Sequence, residues 1–341
     1  MLLEAEPSIK HGGVVEDLTE RPSPEDWEVL AGLQEFGIPK EISPRWAIFN
    51  TSFIPSELGT ILLSRAVDRR KIRPGEPDRN SLQVSVLDQS HQYQRLPDLL
   101  LPIEGDIVNW EDARVGPDGR TLGFTVVFRE GDSYEPYPAL VEVEIEDNQL
   151  KVVGKPDIFK DKPGKNAVPL EDGFFYRPDG VSHELHYLNS KREIKKTIDF
   201  SEFKNNGWIS KKIGAVARPI ELDDGSSFLL IHGVSANVGR YKYVYSLGIA
   251  VLDQEWSVRA VSKEPLLQRE DFLKNLHLAE DLNPEKKVVY LCDYQVNPEN
   301  EDDLILPVNV GDRITVFKHV SLSDLKDQAK SLLYKVPRRL L

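Results

Sequence analysis

The sequence predicts an all-β fold, a five-bladed β-propeller with short helical extensions at its N- and C-terminal ends. Three observations carry this. Between about residues 41 and 320 the chain is a succession of runs rich in Val, Ile, Leu, Tyr and Phe, bounded by Gly, Pro, Asn and Asp. Turn signals inside that stretch recur roughly every 50–60 residues, a period that suits blades of four strands. Helical periodicity is confined to the two ends of the chain. A two-layer sandwich could use as many strands, but it would leave the period unexplained.

Residues 1–44 form an N-terminal extension with one expected helix. Ser23 is the N-cap, Pro24 takes the first helical position, and Glu25 and Asp26 put acids in the first turn. Trp27, Leu30, Leu33 and Phe36 follow at helical spacing, and Gly37-Ile38-Pro39 stops the run. Residues 45–320 form the propeller. Expected strands include 60–67 (TILLSRAV), 121–128 (TLGFTVVF), 138–145 (PALVEVEI), 227–234 (SFLLIHGV), 243–252 (YVYSLGIAVL) and 287–294 (KVVYLCDY). The repeating turns are Glu57-Leu58-Gly59, Pro117-Asp118-Gly119, Glu171-Asp172-Gly173, Asp223-Asp224-Gly225 and Asn283-Pro284-Glu285. Residues 321–341 give a C-terminal helix and tail. Ser323 is the expected cap of a segment through Leu325, Ala329 and Leu332, and Lys335, Arg338 and Arg339 complement its C-terminus.

The totals narrow the function. The 341-residue chain carries a net charge of -13, which argues against nucleic acid or an anionic membrane as partner. An anionic ligand must therefore be held by a local cluster of cations. The single cysteine, Cys292, excludes an internal disulfide framework. No basic leader and no long apolar run is present at the N-terminus, so the cytoplasm is the expected location.

Polar groups beside a small residue stand a few residues before most of the turns. They are Asn50; Glu111, Asp112 and Arg114 in 109–115 (NWEDARV); Lys165 and Asn166 before Ala167; and Lys212 before Ile213-Gly214. Inner strands of a propeller line a central channel, so these positions converge into one ring. Arg65 and Arg69 share strand parity and face one side. Arg177 follows Lys165 by one hairpin, and His232 ends a strand. A guanidinium fork matches phosphate oxygens, and lysine adds a mobile point charge. Taken singly, each is an ordinary surface ion or a turn with a local ion pair, and the case rests on recurrence. His183 and His186 point to opposite faces of a strand, and no Cys/His cluster suggests a metal site. No Gly-rich phosphate loop and no Gly-x-Ser-x-Gly elbow is present.

In the order and spacing of these motifs the chain resembles glycoside hydrolase family 130, five-bladed propellers that include β-mannoside phosphorylases and β-mannosidases. The resemblance spans roughly 45–320 and is carried by 109–115, 165–170 (KNAVPL), 174–180 (FFYRPDG), 211–220 (KKIGAVARPI), 229–234 with 245–253, and 309–317 (NVGDRITVF). It implies Asp112 as general acid and Asn50 as a sugar ligand. It implies Lys165, Asn166, Arg177 and Lys212 as the phosphate cradle, and His232, Tyr245 and Asp312 as pocket residues. Arg65 joins the cluster, and Glu111 is assigned to orienting or sugar binding. The chain departs from the family pattern at Ala113, where proline is usual, and at Lys165, Thr51 and Arg218. Around Asp312, 305–314 lacks the expected Tyr-Gly-Ala pattern.

The implied reaction is inverting phosphorolysis of a β-mannoside to mannose 1-phosphate, with inorganic phosphate as co-substrate and no cofactor or metal. In the family the proton passes through a sugar hydroxyl. A hydrolase would need a second carboxylate as base, for which Glu280, Asp281 and Asp293 are the candidates. A non-catalytic sugar-binding propeller is a third reading. Oligosaccharide and phosphate are the expected partners, and a homo-oligomer is open.

Overall fold

The computed structural model describes residues 46–68, 80–87, 93–239, 241–269, 271, 286–312 and 314–334. The expected N-terminal helix, Arg69, Glu280, Asp281, the 283–285 turn and Lys335, Arg338 and Arg339 lie outside the described residues.

Five antiparallel sheets follow one another along the chain. Blade 1 is β1 (Trp46–Ser56), β2 (Gly59–Asp68), β3 (Asn80–Leu87) and β4 (Tyr93–Arg95), hydrogen-bonded in that order. Blade 2 is β5 (Ile107–Val115), β6 (Thr121–Glu130), β7 (Ser133–Glu146) and β8 (Gln149–Ile158). Blade 3 is β9 (Gly164–Leu170), β10 (Gly173–Pro178), β11 (Glu184–Leu188) and β12 (Ile194–Asp199). Blade 4 starts at β13 (Lys212–Ala215) and passes β14 (Ile220–Glu221) to the long hairpin of β15 (Ser227–Val238) and β16 (Tyr241–Leu252), then β17 (Val258–Val261). Blade 5 has β21 (Asn300–Val310) at its centre. On one side lie β19 (Val289–Tyr290) and β20 (Gln295–Asn297), and on the other β22 (Ile314–Ser321).

Glycine sets the first hairpin turns of blades 1 to 4. Gly59, Gly119, Gly173 and Gly225 all have positive φ, where a Cβ is strained. At Gly173 the constraint is twofold, because a Cβ there would also collide with the carbonyl of Leu188. These four turns coincide with the first four expected from the sequence. In blade 5 the described hairpin turn lies between β20 and β21.

The expected 287–294 strand is broken. β18 (Lys286–Lys287) pairs in parallel with β16 of the neighbouring blade, β19 pairs with β21, and 291–294 leave the ladder. The cause lies at Asp293, whose buried carboxylate accepts the backbone N–H of Tyr294 (2.8 Å) and of Phe53 in blade 1 (3.2 Å).

The core is made between blades, as pairs of facing sheets. Ile54, Leu63 and Val84 of blade 1 meet Val115, Phe124 and Val126 of blade 2. Val168 and Phe175 of blade 3 meet Ile213, Leu229 and Ile231 of blade 4. Leu247 and Ile249 of blade 4 meet Leu304, Leu306 and Val308 of blade 5. The ring is joined between its first and last blades by side chains. Thr51 and Thr315 share a hydroxyl hydrogen bond of 2.9 Å, and the Phe53 and Phe317 rings lie 5.6 Å apart.

The C-terminal helix α1 (Leu322–Tyr334) follows β22 directly. Its cap is Ser321, two residues before the expected Ser323: the Ser321 hydroxyl accepts the Asp324 N–H at 3.0 Å. Leu325 and Ala329, one turn apart, are buried against blades 4 and 5. Among the described residues no helix is long and apolar enough to cross a membrane. Truncating Leu325 to alanine is expected to cost about 2–5 kcal/mol of stability. In denaturant unfolding the midpoint falls; an unchanged midpoint would show that α1 does not brace the ring.

Candidate active site

Three innermost strands carry the same irregularity at the same place. In β1, Asn50 and Thr51 lie opposite a single partner residue, between the pairs Phe49–Arg65 and Ser52–Leu63. In β5, Asp112 and Ala113 do so between Glu111–Thr125 and Arg114–Gly123. In β9, Asn166 and Ala167 do so between Lys165–Arg177 and Val168–Phe175. Each is a β-bulge, and its first residue is left-handed: Asn50 at φ 53, Asp112 at φ 59, Asn166 at φ 64. Asn and Asp tolerate this conformation far better than other residues with side chains. In blade 4 the place belongs to Gly214, in a regular ladder opposite His232.

The bulges turn their side chains toward one another. Asn50 Nδ2 donates to Asp112 Oδ1 at 2.5 Å, and Arg65 donates to the same oxygen at 3.1 Å. Lys165 Nζ reaches Glu111 Oε2 at 2.8 Å, and Asn109 Nδ2 reaches Oε1 at 3.2 Å. So 109–115 is a bulged strand, not a turn, and its acids pair with cations of other strands and blades. Arg114 is fully buried and serves elsewhere. It donates to the carbonyls of Asp112 (2.7 Å) and Val216 (2.8 Å) and to the Tyr290 hydroxyl (2.7 Å). That hydroxyl donates in turn to Asn166 Oδ1 at 3.2 Å.

The second wall is aromatic and cationic. The His232 ring stands 4.7 Å from that of Tyr290 and stacks on Tyr245 at 6.5 Å. Lys212 Nζ lies over the Tyr245 ring at 5.3 Å. Arg177 NH1 and His232 Nδ1 are buried with no hydrogen-bond partner, as is Asn50 Oδ1. Asp312, on the turn between β21 and β22, accepts from Asn309 at 2.8 Å and is the first-ranked charge acting on Tyr245. Gly214 lets this wall close. A Cβ there would lie 2.7 Å from Asn166 Nδ2 and closer still to the His232 ring.

Burial and charge set the protonation states. Burial pushes the Glu111 carboxyl up, but Lys165, Arg65 and Lys212 override it and hold it at about 2. Burial, with Arg177, Arg114 and Lys212, drives His232 well below the ordinary imidazole value, so its ring is neutral. Burial raises the Tyr290 and Tyr245 phenols and the Cys292 thiol, which keeps all three protonated. Asp293 is the exception among the carboxyls. Burial lifts it to about 7 against the pull of two backbone N–H groups, Arg218 and Arg114.

Among the described residues expected from the sequence, Asn50, Arg65, Glu111, Asp112, Lys165, Asn166, Arg177, Lys212, His232, Tyr245 and Asp312 join one cluster, while Arg114 lies beneath it. Tyr290 was missed. It sits in the apolar run 288–292 and reads there as a core aromatic. Among the described residues no group of three or more His, Cys, Asp or Glu could hold a metal ion.

Residues 171–329 match the family model described as beta-1,4-mannooligosaccharide phosphorylase. Over that stretch the chain is similar to glycoside hydrolase family 130. The family 130 match takes in Arg177, Lys212, His232, Tyr245 and Asp312; the strands of Asn50, Asp112 and Lys165 precede it. No curated protein matches the chain. Among solved structures, a beta-1,2-mannobiose phosphorylase from Listeria innocua in complex with beta-1,2-mannobiose is similar at TM-score 0.59 and 15% identity, over 86% of this chain and 95% of that one. A putative glycosidase from Bacteroides thetaiotaomicron follows at TM-score 0.56 and 14% identity, over 81% and 87%. A glycosyl hydrolase from Bacteroides ovatus stands at TM-score 0.50 and 14% identity, over 81% and 84%. At these identities the three structures establish the fold alone.

Two outcomes follow from this geometry. Gly214→Ala is expected to displace His232 and Asn166 and to cost about 1–3 kcal/mol of stability, read by thermal unfolding; an unshifted melting curve would mean the wall is loose. Asp293 binds a proton in the folded state between the ordinary value of 3.8 and about 7 that the unfolded chain does not bind. Its contribution to stability is thus present at acid pH and is lost as pH rises through that window. Carbon NMR of labelled aspartates is expected to show one carboxyl titrating near neutrality, missing in Asp293→Asn; its absence from the wild-type spectrum would refute the assignment.

Proposed function

We propose that the protein catalyses inverting phosphorolysis of a β-mannoside, releasing mannose 1-phosphate. The observation that carries this reading is the composition of the cluster. Asp112 shares it with the cations Lys165, Arg177 and Lys212, and Arg177 NH1 is buried without a partner. A buried donor of a charged group is costly to leave unmade, and an oxyanion would satisfy it. The family description and the fold of the Listeria enzyme support the same substrate class.

The division of labour follows from hydrogen-bond capacity. Oδ1 of Asp112 already accepts from Asn50 and Arg65. A proton to be donated therefore sits on Oδ2. Asp112 gives it to the leaving oxygen, directly or through a sugar hydroxyl, as the glycosidic C–O bond breaks. Phosphate, held by Arg177, Lys212 and Lys165, supplies the oxygen that bonds to the anomeric carbon from the opposite face. Phosphate is already anionic and needs no base, whereas water does. Asn50 Oδ1, His232 and Asp312 are placed to hold sugar hydroxyls. On this reading the acidic chain works in the cytoplasm, without a cofactor.

Hydrolysis is the second reading, and Asp293 is the observation that favours it: a buried carboxyl at about 7 has the basicity a general base needs. Against it, both Asp293 oxygens already accept backbone N–H groups.

A panel of β-mannosides incubated with and without phosphate decides between them. Phosphate-dependent appearance of mannose 1-phosphate is expected, with Asp112→Asn slower by about 10²–10⁴-fold. Free mannose at equal rates in both conditions would favour hydrolysis. Binding without turnover, unaffected by Asp112→Asn, would make the protein a sugar-binding propeller.

A further inference from the structure

The cation cluster already contains an anion that the acid-and-cradle scheme does not use. Glu111 projects from the bulged strand β5 into the same space as the phosphate ligands proposed above. Its Oε2 takes Lys165 at 2.8 Å and its Oε1 takes Asn109 at 3.2 Å. The groups facing it come from every wall: Lys165 of β9, Arg65 of β2 and Lys212 of β13 act on it, and it acts on Arg177 of β10 and Tyr245 of β16. The Lys165 side chain is 34% exposed, so it has room to move between Glu111 and a ligand. Glu111 itself is held ionised down to about 2 by these cations.

A fixed carboxylate next to an anion site has two consequences. It repels a second full charge brought alongside it. It also leaves acceptor lone pairs with no donor of their own, since each oxygen here takes one hydrogen bond and can take two. A ligand that brings its own O–H meets both conditions, by lowering its charge and donating to the carboxylate. A fully ionised oxyanion meets neither.

We propose that Glu111 is a built-in counter-anion that makes the cluster select an oxyanion still carrying a proton, H₂PO₄⁻, over one that carries none, such as sulfate. The inference rests on the phosphorolysis reading and sharpens it: the co-substrate is the protonated form, oriented by its P–OH on Glu111. Lys165 is shared between the two anions. Glu111 thereby sets the pH dependence of co-substrate binding without donating a proton to the glycosidic oxygen.

Calorimetric titration of the full-length protein with sodium phosphate and with sodium sulfate tests this, at pH values on either side of the second ionisation of phosphate. In the wild type, phosphate is expected to bind about tenfold or more tightly than sulfate, with its affinity falling as pH rises. In Glu111→Gln, sulfate is expected to gain about tenfold and the phosphate profile to flatten. Equal wild-type affinities for the two anions, or a phosphate affinity that does not fall with pH, overturns the proposal with no variant required. A sulfate-to-phosphate ratio unchanged in folded Glu111→Gln also overturns it. These failures leave phosphate-dependent release of mannose 1-phosphate intact. If neither anion binds and no phosphate-dependent product forms, the phosphorolysis reading falls and this one with it.

Discussion

One buried guanidinium holds the centre of the ring. Arg114 has no exposed surface, and taking such a charge out of water costs several kcal/mol unless its donors are satisfied. Here Nε and both terminal nitrogens each have an acceptor, and those acceptors belong to three blades: Asp112 in blade 2, Val216 at the end of the blade 4 inner strand, and Tyr290 in blade 5. The Tyr290 hydroxyl passes the connection to Asn166 in blade 3. Removing the guanidinium would strand two carbonyls and a phenol in a buried space. The apolar seams between blades are packed without direction, whereas hydrogen bonds fix one geometry. The Arg114 hub fixes how far around the channel each inner strand stands, and so fixes where Asp112 sits relative to Arg177 and Lys212.

Much of this arrangement was readable in the sequence, for physical reasons. A left-handed bulge demands Asn, Asp or Gly, and a small residue beside it relieves crowding. The recurring Asn-Thr, Asp-Ala and Asn-Ala pairs are the trace of that demand at 50, 112 and 166. The glycine turns of four blades were legible on the same grounds. The fifth blade was not. Its inner strand is interrupted where Asp293 caps backbone from blade 1, a long-range contact that local pattern does not encode. The roles of Glu111 and Arg114 were also hidden. Adjacent acid and base suggest a local pair, yet the pleat and the bulge send them to different partners: Arg114 into the hub, Glu111 to Lys165, and Asp112 to Arg65. Tyr290 was invisible because nothing in an apolar run separates a packing phenol from one that relays hydrogen bonds.

The cluster divides into satisfied and unsatisfied parts. Asp112, Glu111 and Lys165 all have partners within the protein. Arg177 NH1, His232 Nδ1 and Asn50 Oδ1 do not. Buried polar groups without partners are uncommon in folded proteins, and three of them belong to this cluster. His232 is neutral and can accept or donate, Arg177 can only donate, and Asn50 Oδ1 can only accept. A ligand rich in hydroxyls beside an oxyanion matches that mixture better than a purely anionic or purely apolar one.

The repeated bulge also limits which substitutions the site can absorb. A backbone held at positive φ favours three side chains: a carboxylate, a carboxamide, or hydrogen alone. Position 112 can therefore exchange carboxylate for carboxamide, two isosteric groups, with the strand path untouched. The same exchange at 50 or 166 would add a second carboxylate to the channel. The scaffold thus offers a small chemical alphabet at fixed coordinates while the sheet beneath it stays the same.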